Sequence, residues 1–274
     1  MFYVISAVLA RIGSNSALNI FQKILTSGGT KSSVVNFYTY AGLSVLSVFL
    51  LPFCDITFSA ELLVNFLCMG FLGALGNYFI IKALSIGELS SLAPINSYKP
   101  VAAMVIAFFY LNEIPSLLSF AGIFLIILGT YVLYGVCKRN GTAVMFRVLA
   151  LIFSGSEAVF IKKIILLTNI PVSFVLWAIS GLLFSLMFVF LHKNNFKLSS
   201  FKSLIYLILS VAVMQYSTNF VFSKINVSYA LALFQLSTIL SVFFGVNIFH
   251  ETDLKRKIVA SVIMIIGAVV IILA

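Results

Sequence analysis

Charge is what this chain has least of. Of its 274 residues only 9% are charged, and seven of them are acidic. Against that stand 62% hydrophobic residues and a mean hydropathy of +1.18. A soluble chain of this length cannot cover its surface with so few polar groups, so the composition reads as an integral membrane protein. Cysteine is scarce too. Cys54, Cys68 and Cys137 are far apart and form no CxxC, which excludes a disulfide framework or a zinc site. His192 and His250 fall in predicted loops, and no His/Asp/Glu group has metal-ligand spacing. GxSxG, Walker-type and HExxH patterns are all absent. An intramembrane enzyme is therefore disfavoured, and no catalytic residue, metal or cofactor is expected. No basic n-region or small-residue cleavage site marks the first apolar segment, so it reads as a retained membrane helix rather than a removable signal. Neither end carries a lipidation motif.

The net charge of +10 does not signify a nucleic-acid surface. In so apolar a chain it reports loop charges that set orientation and meet anionic headgroups. Membrane lipids are thus expected partners and nucleic acid is not.

A spanning helix needs about 20 mostly apolar residues. Ten segments fit: Phe2–Leu25, Ser33–Pro52, Leu62–Leu84, Leu89–Tyr110, Ser116–Val136, Phe146–Leu167, Val172–Leu191, Ser203–Phe222, Ser228–Phe249 and Ile258–Ala274. The expected fold is an all-α polytopic membrane protein. In the third segment Gly70, Gly73 and Gly76 recur every three residues. Such a face lets another helix approach closely, and permits a dimer without requiring one.

The fourth segment stands apart. Its middle reads Asn96-Ser97-Tyr98-Lys99, flanked by Pro94 and Pro100. A lysine at that depth costs about 2.5–3.5 kcal/mol on insertion scales and is by default a functional-site candidate. The prolines remove backbone donors and free carbonyls to face a cavity. The segment therefore predicts a helix that lines a transport pathway. The alternative is that Lys99 pairs with a buried carboxylate and only orients helices.

Two halves repeat, split at the basic turn Cys137–Thr142. Gly129 and Gly267 lie 138 residues apart, as do Glu113 and Glu251, while Lys23/Lys162, Gly42/Gly181 and Ile86/Ile225 lie 139 apart. The polar centre of the fourth segment falls opposite Gln235, Ser237 and Thr238 in the ninth. Five helices per half, an odd number, put the halves in opposite orientation across the membrane. Many secondary transporters share that inverted-repeat plan, with the site near the midplane between repeats. The expected units are residues 1–137 and 143–274.

Pro100 to Tyr134 (PVAAMVIAFFYLNEIPSLLSFAGIFLIILGTYVLY) resembles the signature of the EamA family in the drug/metabolite transporter superfamily. The features are Pro100, the Asn112-Glu113 turn, and Gly122 and Gly129 in the next helix. The second copy keeps the turn as His250-Glu251 and keeps Gly267, with Thr238 or Ile239 for the proline and Ala260 for the first glycine. The resemblance implies two inverted five-helix repeats, alternating access and a central cavity lined mainly by helices one, three, four, six, eight and nine. Family substrates include amino acids, other metabolites and toxic compounds. No site residue carries over from the family.

The residues themselves supply the candidates. Arg11, Lys99 and Glu157 sit deep in predicted helices. Their one-charge cation excess suits an anionic group, with Arg11 as a fork-like donor and Lys99 as a point charge. Glu157 is either their counter-ion or a proton-coupling group. Asn15, Asn19, Asn77, Asn96, Gln215, Asn219 and Gln235 add amides, some of them helix–helix glue. Tyr78, Tyr98 and Tyr216 are candidates for cavity walls, against packing or interface roles. Lys23, Lys162 and Lys163 lie near helix ends and are expected to snorkel. The expected substrate site is Arg11, Asn15, Asn77, Asn96, Tyr98, Lys99, Glu157, Gln215, Asn219 and Gln235. It would take a small polar metabolite, an amino acid or related zwitterion or anion, with a coupling proton or ion. An exporter of cationic toxic compounds and a lipid-linked flippase remain alternatives.

A bacterial inner (plasma) membrane is the expected location. Leaving out Arg11 and Lys99, twelve Lys/Arg fall on the side of the loops after the odd-numbered helices and three on the other. The positive-inside rule then places both termini outside, whereas the family's usual arrangement has them in the cytoplasm.

Overall fold

The computed structural model describes residues 2–111, 117–137, 140–191 and 196–273. The predicted turn Asn112–Pro115, with its Glu113, and the basic pair at 138–139 lie outside these residues, as do positions 192–195, which include His192. Among the described residues the chain is helical and forms no strand.

The first half comprises α1 (Phe2–Ser27), α2 (Ser32–Ser47, continued as a 3-10 turn Val48–Phe53), α3 (Ala60–Ile86), α4 (Leu89–Leu92), a 3-10 turn Pro94–Tyr98, α5 (Lys99–Leu111) and α6 (Leu117–Cys137). The second half comprises α7 (Gly141–Leu167), α8 (Ile170–Leu191), α9 (Phe201–Phe222), α10 (Val227–Phe234), α11 (Ser237–Phe249) and α12 (Leu254–Leu273). Eight helical stretches among the described residues are long and apolar enough to cross a membrane, with α4–α5 and α10–α11 each counted as one. The chain is an integral, multi-pass membrane protein. Phenylalanines, leucines and valines cover its outer surface, among them Phe49, Phe58, Phe109 and Phe190, as expected where lipid replaces water as the solvent.

Contacts between helices obey an exchange of the two halves. α1 packs on α9 as α3 packs on α7, and α5 packs on α10 as α11 packs on α4, while α2–α8 and α6–α12 pair equivalent helices. The last pair meets through the repeated small residues. Gly129 lies against Ala260 and Met264, and Gly267 against Gly122 and Ile126. The halves are inverted. Asn140, before α7, donates to the Ile86 carbonyl at the end of α3 (2.6 Å), so α7 starts on the face where α1 and α3 finish.

The glycine face of α3 turns inward. Gly70 lies against Ser180 of α8, Gly73 against Glu157 of α7, and Gly76 against Ser154 of α7. It is spent on packing within the chain, so it is not the dimer surface that the spacing allowed.

Both fourth helices are broken. In the first half Pro94 cannot donate, and the chain tightens to a 3-10 turn closed by Asn96 N–H on the Ala93 carbonyl (3.0 Å). The sequence predicted an interruption there, but read the second-half equivalent as one continuous helix. That helix also breaks, without a proline. Gln235, Leu236 and Thr238 N–H groups bond to carbonyls three residues back, at 3.1, 3.3 and 2.8 Å. Side chains meet the carbonyls that the break exposes. Gln235 donates to Leu231 O (2.7 Å), Ser237 to Phe234 O (2.7 Å), and Ser16 of α1 to Ser237 O (3.1 Å). The two breaks face each other, and Asn96 donates to the Gln235 side-chain carbonyl at 3.2 Å. These residues are 139 apart, the offset of the repeat.

Candidate functional site

Beside the paired breaks lies a cavity of ≈ 100 Å³, walled by α1, α3, α7 and α9 and by the first break. Four side chains of the basic and acidic types line it: Arg11, Lys99, Arg147 and Glu157.

Arg11 enters from α1. Its Nε donates to Thr218 Oγ1 of α9 at 2.8 Å, and its guanidinium lies 4.8 Å from the Phe234 ring centroid. These contacts fix the plane of the fork. Its Nη1 is buried and has no hydrogen-bond partner among the described residues. Arg147 enters from α7. Its Nε donates to the Leu92 carbonyl at 3.1 Å, a carbonyl released where α4 gives way to the 3-10 turn. Lys99 opens α5 directly after that turn. It is partly accessible and stands within electrostatic reach of Glu157, Arg11 and Arg147.

Glu157 accepts a hydrogen bond from the Trp177 indole N–H of α8. Trp177 in turn packs edge-on against Tyr40 of α2, with centroids 5.1 Å apart. The Glu157 carboxylate lies over residue 73 of α3, which has no side chain, and a Cβ there would force the carboxylate to shift. Of the two alternatives for Glu157, a direct ion pair with Lys99 or Arg11 within 4.0 Å is not formed. Among the described residues, ion pairs within 4.0 Å are Lys23–Glu251, Lys163–Glu61 and Lys257–Glu88.

The predicted amides divide into cavity lining and glue. Asn15, Asn19, Asn77, Asn96 and Gln215 line the cavity. Asn15 donates to Ser237 Oγ (3.0 Å). Asn77 belongs to a relay in which Gln22 donates to Asn77 (3.1 Å), Asn77 to Asn36 (2.5 Å) and Asn36 to the Ala74 carbonyl (3.2 Å), tying α1, α3 and α2 together. Asn219 and Gln235 lie behind the lining. Asn219 accepts from Gln215 (2.9 Å), and Gln235 accepts from Asn96. Tyr98 packs in the apolar cluster of Leu89, Leu92 and Met264 rather than on the cavity wall. Tyr78 packs at tilted angles against Phe79 and Phe188 and Tyr216 lies against Phe174, so the aromatic walls are Tyr40, Trp177 and Phe222 instead.

Arg147 escaped the sequence reading, which counted it among the loop charges next to a helix start placed at Phe146. The helix in fact starts at Gly141, five residues and about one and a half turns earlier, which carries Arg147 inside. A lone arginine in the run MFRVLALIF was the available signal.

A second charged cluster closes the face from which α4 begins. His250 and Asp253 take left-handed backbone conformations (φ 53° and 65°), turning the chain so that Glu251 points inward. Its carboxylate accepts from the backbone N–H groups of Leu89 and Ser90 (2.7 Å each) and from the Ser90 hydroxyl and Lys23. Lys257, 0% exposed, pairs with Glu88 (2.8 Å) and donates to Ser90 Oγ (2.6 Å). Lys23 is thus not a snorkelling lysine. It bonds Glu251, donates to the Gly87 carbonyl (3.3 Å) and lies 4.6 Å from the Phe249 ring centroid. Lys162, its repeat mate, plays the corresponding part at the opposite face, donating to the carbonyls of Phe222 (2.5 Å) and Ile225 (2.8 Å). Lys163 pairs with Glu61 at 2.8 Å.

Comparison with known proteins places this geometry. No curated protein matches the sequence. One solved structure, titled only as the crystal structure of a protein, matches with a TM-score of 0.70 at 14% identity, over 99% of this chain and 96% of that one; the likeness is one of fold. The family model for the EamA-like transporter family matches twice, at residues 2–135 and 141–273. The chain therefore belongs to the EamA-like transporter family, within the drug/metabolite transporter superfamily.

Proposed function

We propose that the chain is a secondary transporter that moves a small polar metabolite, an amino acid or related zwitterion or anion, by alternating access. The observation that carries this reading is the cavity between the repeats, where three cationic side chains and one carboxylate line a space bounded by two broken helices. In this reading ten helices span the membrane as two units, 1–137 and 143–274, with α6 and α12 joining the eight longer or more apolar stretches. Arg11, Lys99 and Arg147 bind the anionic group of the substrate, and Glu157 receives its cationic group or a coupling proton. Asn15, Asn77, Asn96 and Gln215 give hydrogen bonds to its polar atoms. Asn219 and Gln235 hold Gln215 and Asn96 in place.

The Glu251 cluster is the closed gate of one face. It ties α1, the start of α4 and the α11–α12 turn together, and Arg147 bonds to Leu92 just inside it. Moving substrate past that face requires these bonds to part. The same face carries most of the loop Lys and Arg, which supports a cytoplasmic placement there and both termini outside, in a bacterial inner membrane. A reporter active only in the cytoplasm, fused to the C-terminus, tests the orientation, and an active fusion would reverse it.

A thermal-stability screen of the purified protein against amino acids, organic acids, amines and sugars tests the function, because a ligand that binds only the folded state raises the melting temperature. The expected result is a shift with an anionic or zwitterionic metabolite for wild type and none for Lys99→Ala. A shift with cations alone would favour the cationic exporter and overturn this reading.

A further inference from the structure

Resting on the transporter reading of the same cavity, we infer that its substrate is a small acid carrying two carboxylate groups, dicarboxylates and acidic amino acids included, rather than a monocarboxylate zwitterion.

The first support is the charge count. Arg11, Lys99 and Arg147 against Glu157 leave a surplus of two positive charges on one cavity. Elsewhere this protein pairs its buried charges closely, as Lys257 does with Glu88 and Lys23 with Glu251. None of the three cavity cations has an ion-pair partner within 4.0 Å among the described residues. Cations held in a poorly solvated space repel one another and attract an anion far more strongly than they would in water. A neutral zwitterion brings no net charge and leaves the surplus in place. A dicarboxylate cancels it, and an acidic amino acid, with a net charge of one, halves it.

The second support is geometric. Both arginines are anchored through Nε, Arg11 to Thr218 and Arg147 to the Leu92 carbonyl. Anchoring at Nε leaves the two terminal nitrogens of each guanidinium as a fork, the arrangement that takes a carboxylate in two parallel bonds. In Arg11 one of those nitrogens is buried without a partner. The forks arise on different helices, α1 and α7, and Lys99 lies within electrostatic reach of both. Two forks on separate walls of one cavity offer a partner to each of two carboxylates. Glu157, held by Trp177, is placed to accept the ammonium of an acidic amino acid.

The test uses matched pairs that differ by one charge: aspartate against asparagine and succinate against its half-amide. Glycerol phosphate serves as a third anion. Melting shifts and direct binding are measured on the purified full-length protein, and uptake on the protein in liposomes. The diacids are expected to bind at least tenfold tighter than their half-amides. Arg147→Gln and Lys99→Gln should each abolish most of that discrimination while changing half-amide binding less, and Arg147→Lys should keep part of it. Lys99→Gln breaks no side-chain hydrogen bond among the described residues, so it guards against an Arg147 variant that merely fails to fold. Half-amides or neutral amino acids binding as tightly as diacids would overturn the two-carboxylate inference and leave the transporter site standing. Binding of glycerol phosphate alone would overturn it in favour of a phosphate ester. Binding of none of these compounds, with no uptake, would overturn both readings.

Discussion

Around Glu251 four donors converge on one carboxylate, two of them backbone N–H groups, and Lys257 beside it is matched by Glu88. Around Lys99 three cations share a cavity with one carboxylate, and that carboxylate bonds to a tryptophan instead of to any of them. Both clusters lie on broken or capped helix ends, where backbone groups lack helical partners. In the first cluster the chain supplies both signs of charge and the result is a closed joint. In the second it supplies a surplus of one sign, oriented by neutral partners, and in the proposed transporter the substrate brings the missing sign. In that reading burial alone does not mark a functional charge. The absence of a matching partner among the described residues does.

Four experiments break or sharpen that contrast. The largest effect is expected from Glu251→Ala, which strands Lys23 and three donors of α4 beneath the surface. Breaking one side of a buried pair costs about 3–5 kcal/mol, so the melting temperature in the absence of ligand should fall sharply. A cysteine at Ser90 in this background should become reactive to a water-soluble thiol reagent. An unchanged melting temperature would show that the joint carries little energy. Lys99→Ala should do the reverse. It removes a cation with no ion-pair or hydrogen-bond partner among the described residues, so stability without ligand should stay within about 1 kcal/mol while the ligand-induced shift disappears. A destabilised Lys99→Ala that still responds to ligand would place Lys99 with the structural charges.

Gly73→Ala comes next. The added Cβ meets the Glu157 carboxylate, and overpacking of this kind costs about 1–3 kcal/mol. Affinity for a ligand bearing an ammonium group should drop about tenfold, with less effect on one that lacks it; equal loss for both would show that Glu157 does not contact the ammonium. The smallest effect is expected across the axis. A double-mutant cycle of Asn96→Ala and Gln235→Ala should give a coupling of about 0.6–1.7 kcal/mol, the range of single hydrogen bonds between membrane helices. Zero coupling would mean that the two breaks do not depend on each other.

The sequence carried different parts of this picture with different clarity, for physical reasons. Pro94 and Pro100 announced the first break because proline cannot donate. The second break was silent because it is held by Gln235, Ser237 and Ser16 on exposed carbonyls, and tertiary hydrogen bonds of that sort leave no local signal. The constant repeat offset placed Asn96 opposite Gln235, and they touch. Arg11, Lys99 and Glu157 were legible as charges inside apolar runs, and all three reach the cavity. Arg147 was not, because a helix boundary misplaced by five residues turned an inward arginine into a loop charge. Tyr40 and Trp177 were invisible among 28 phenylalanines and 11 tyrosines, since nothing in an aromatic's sequence neighbours tells a cavity wall from lipid-facing packing. Glu251 was read only as half of a turn. Its match to Glu113 at the repeat offset hinted at a role, but its partners come from helices more than 160 residues away in sequence.

The most direct test of the contrast between the two charged clusters is a pair of melting curves, with and without aspartate, on wild type, Lys99→Ala and Glu251→Ala. The account predicts that Lys99→Ala melts like wild type without ligand and gains nothing from aspartate. It predicts that Glu251→Ala melts well below wild type and is still stabilised by aspartate. The opposite assignment, with Lys99→Ala destabilised yet responsive and Glu251→Ala stable yet unresponsive, would contradict it.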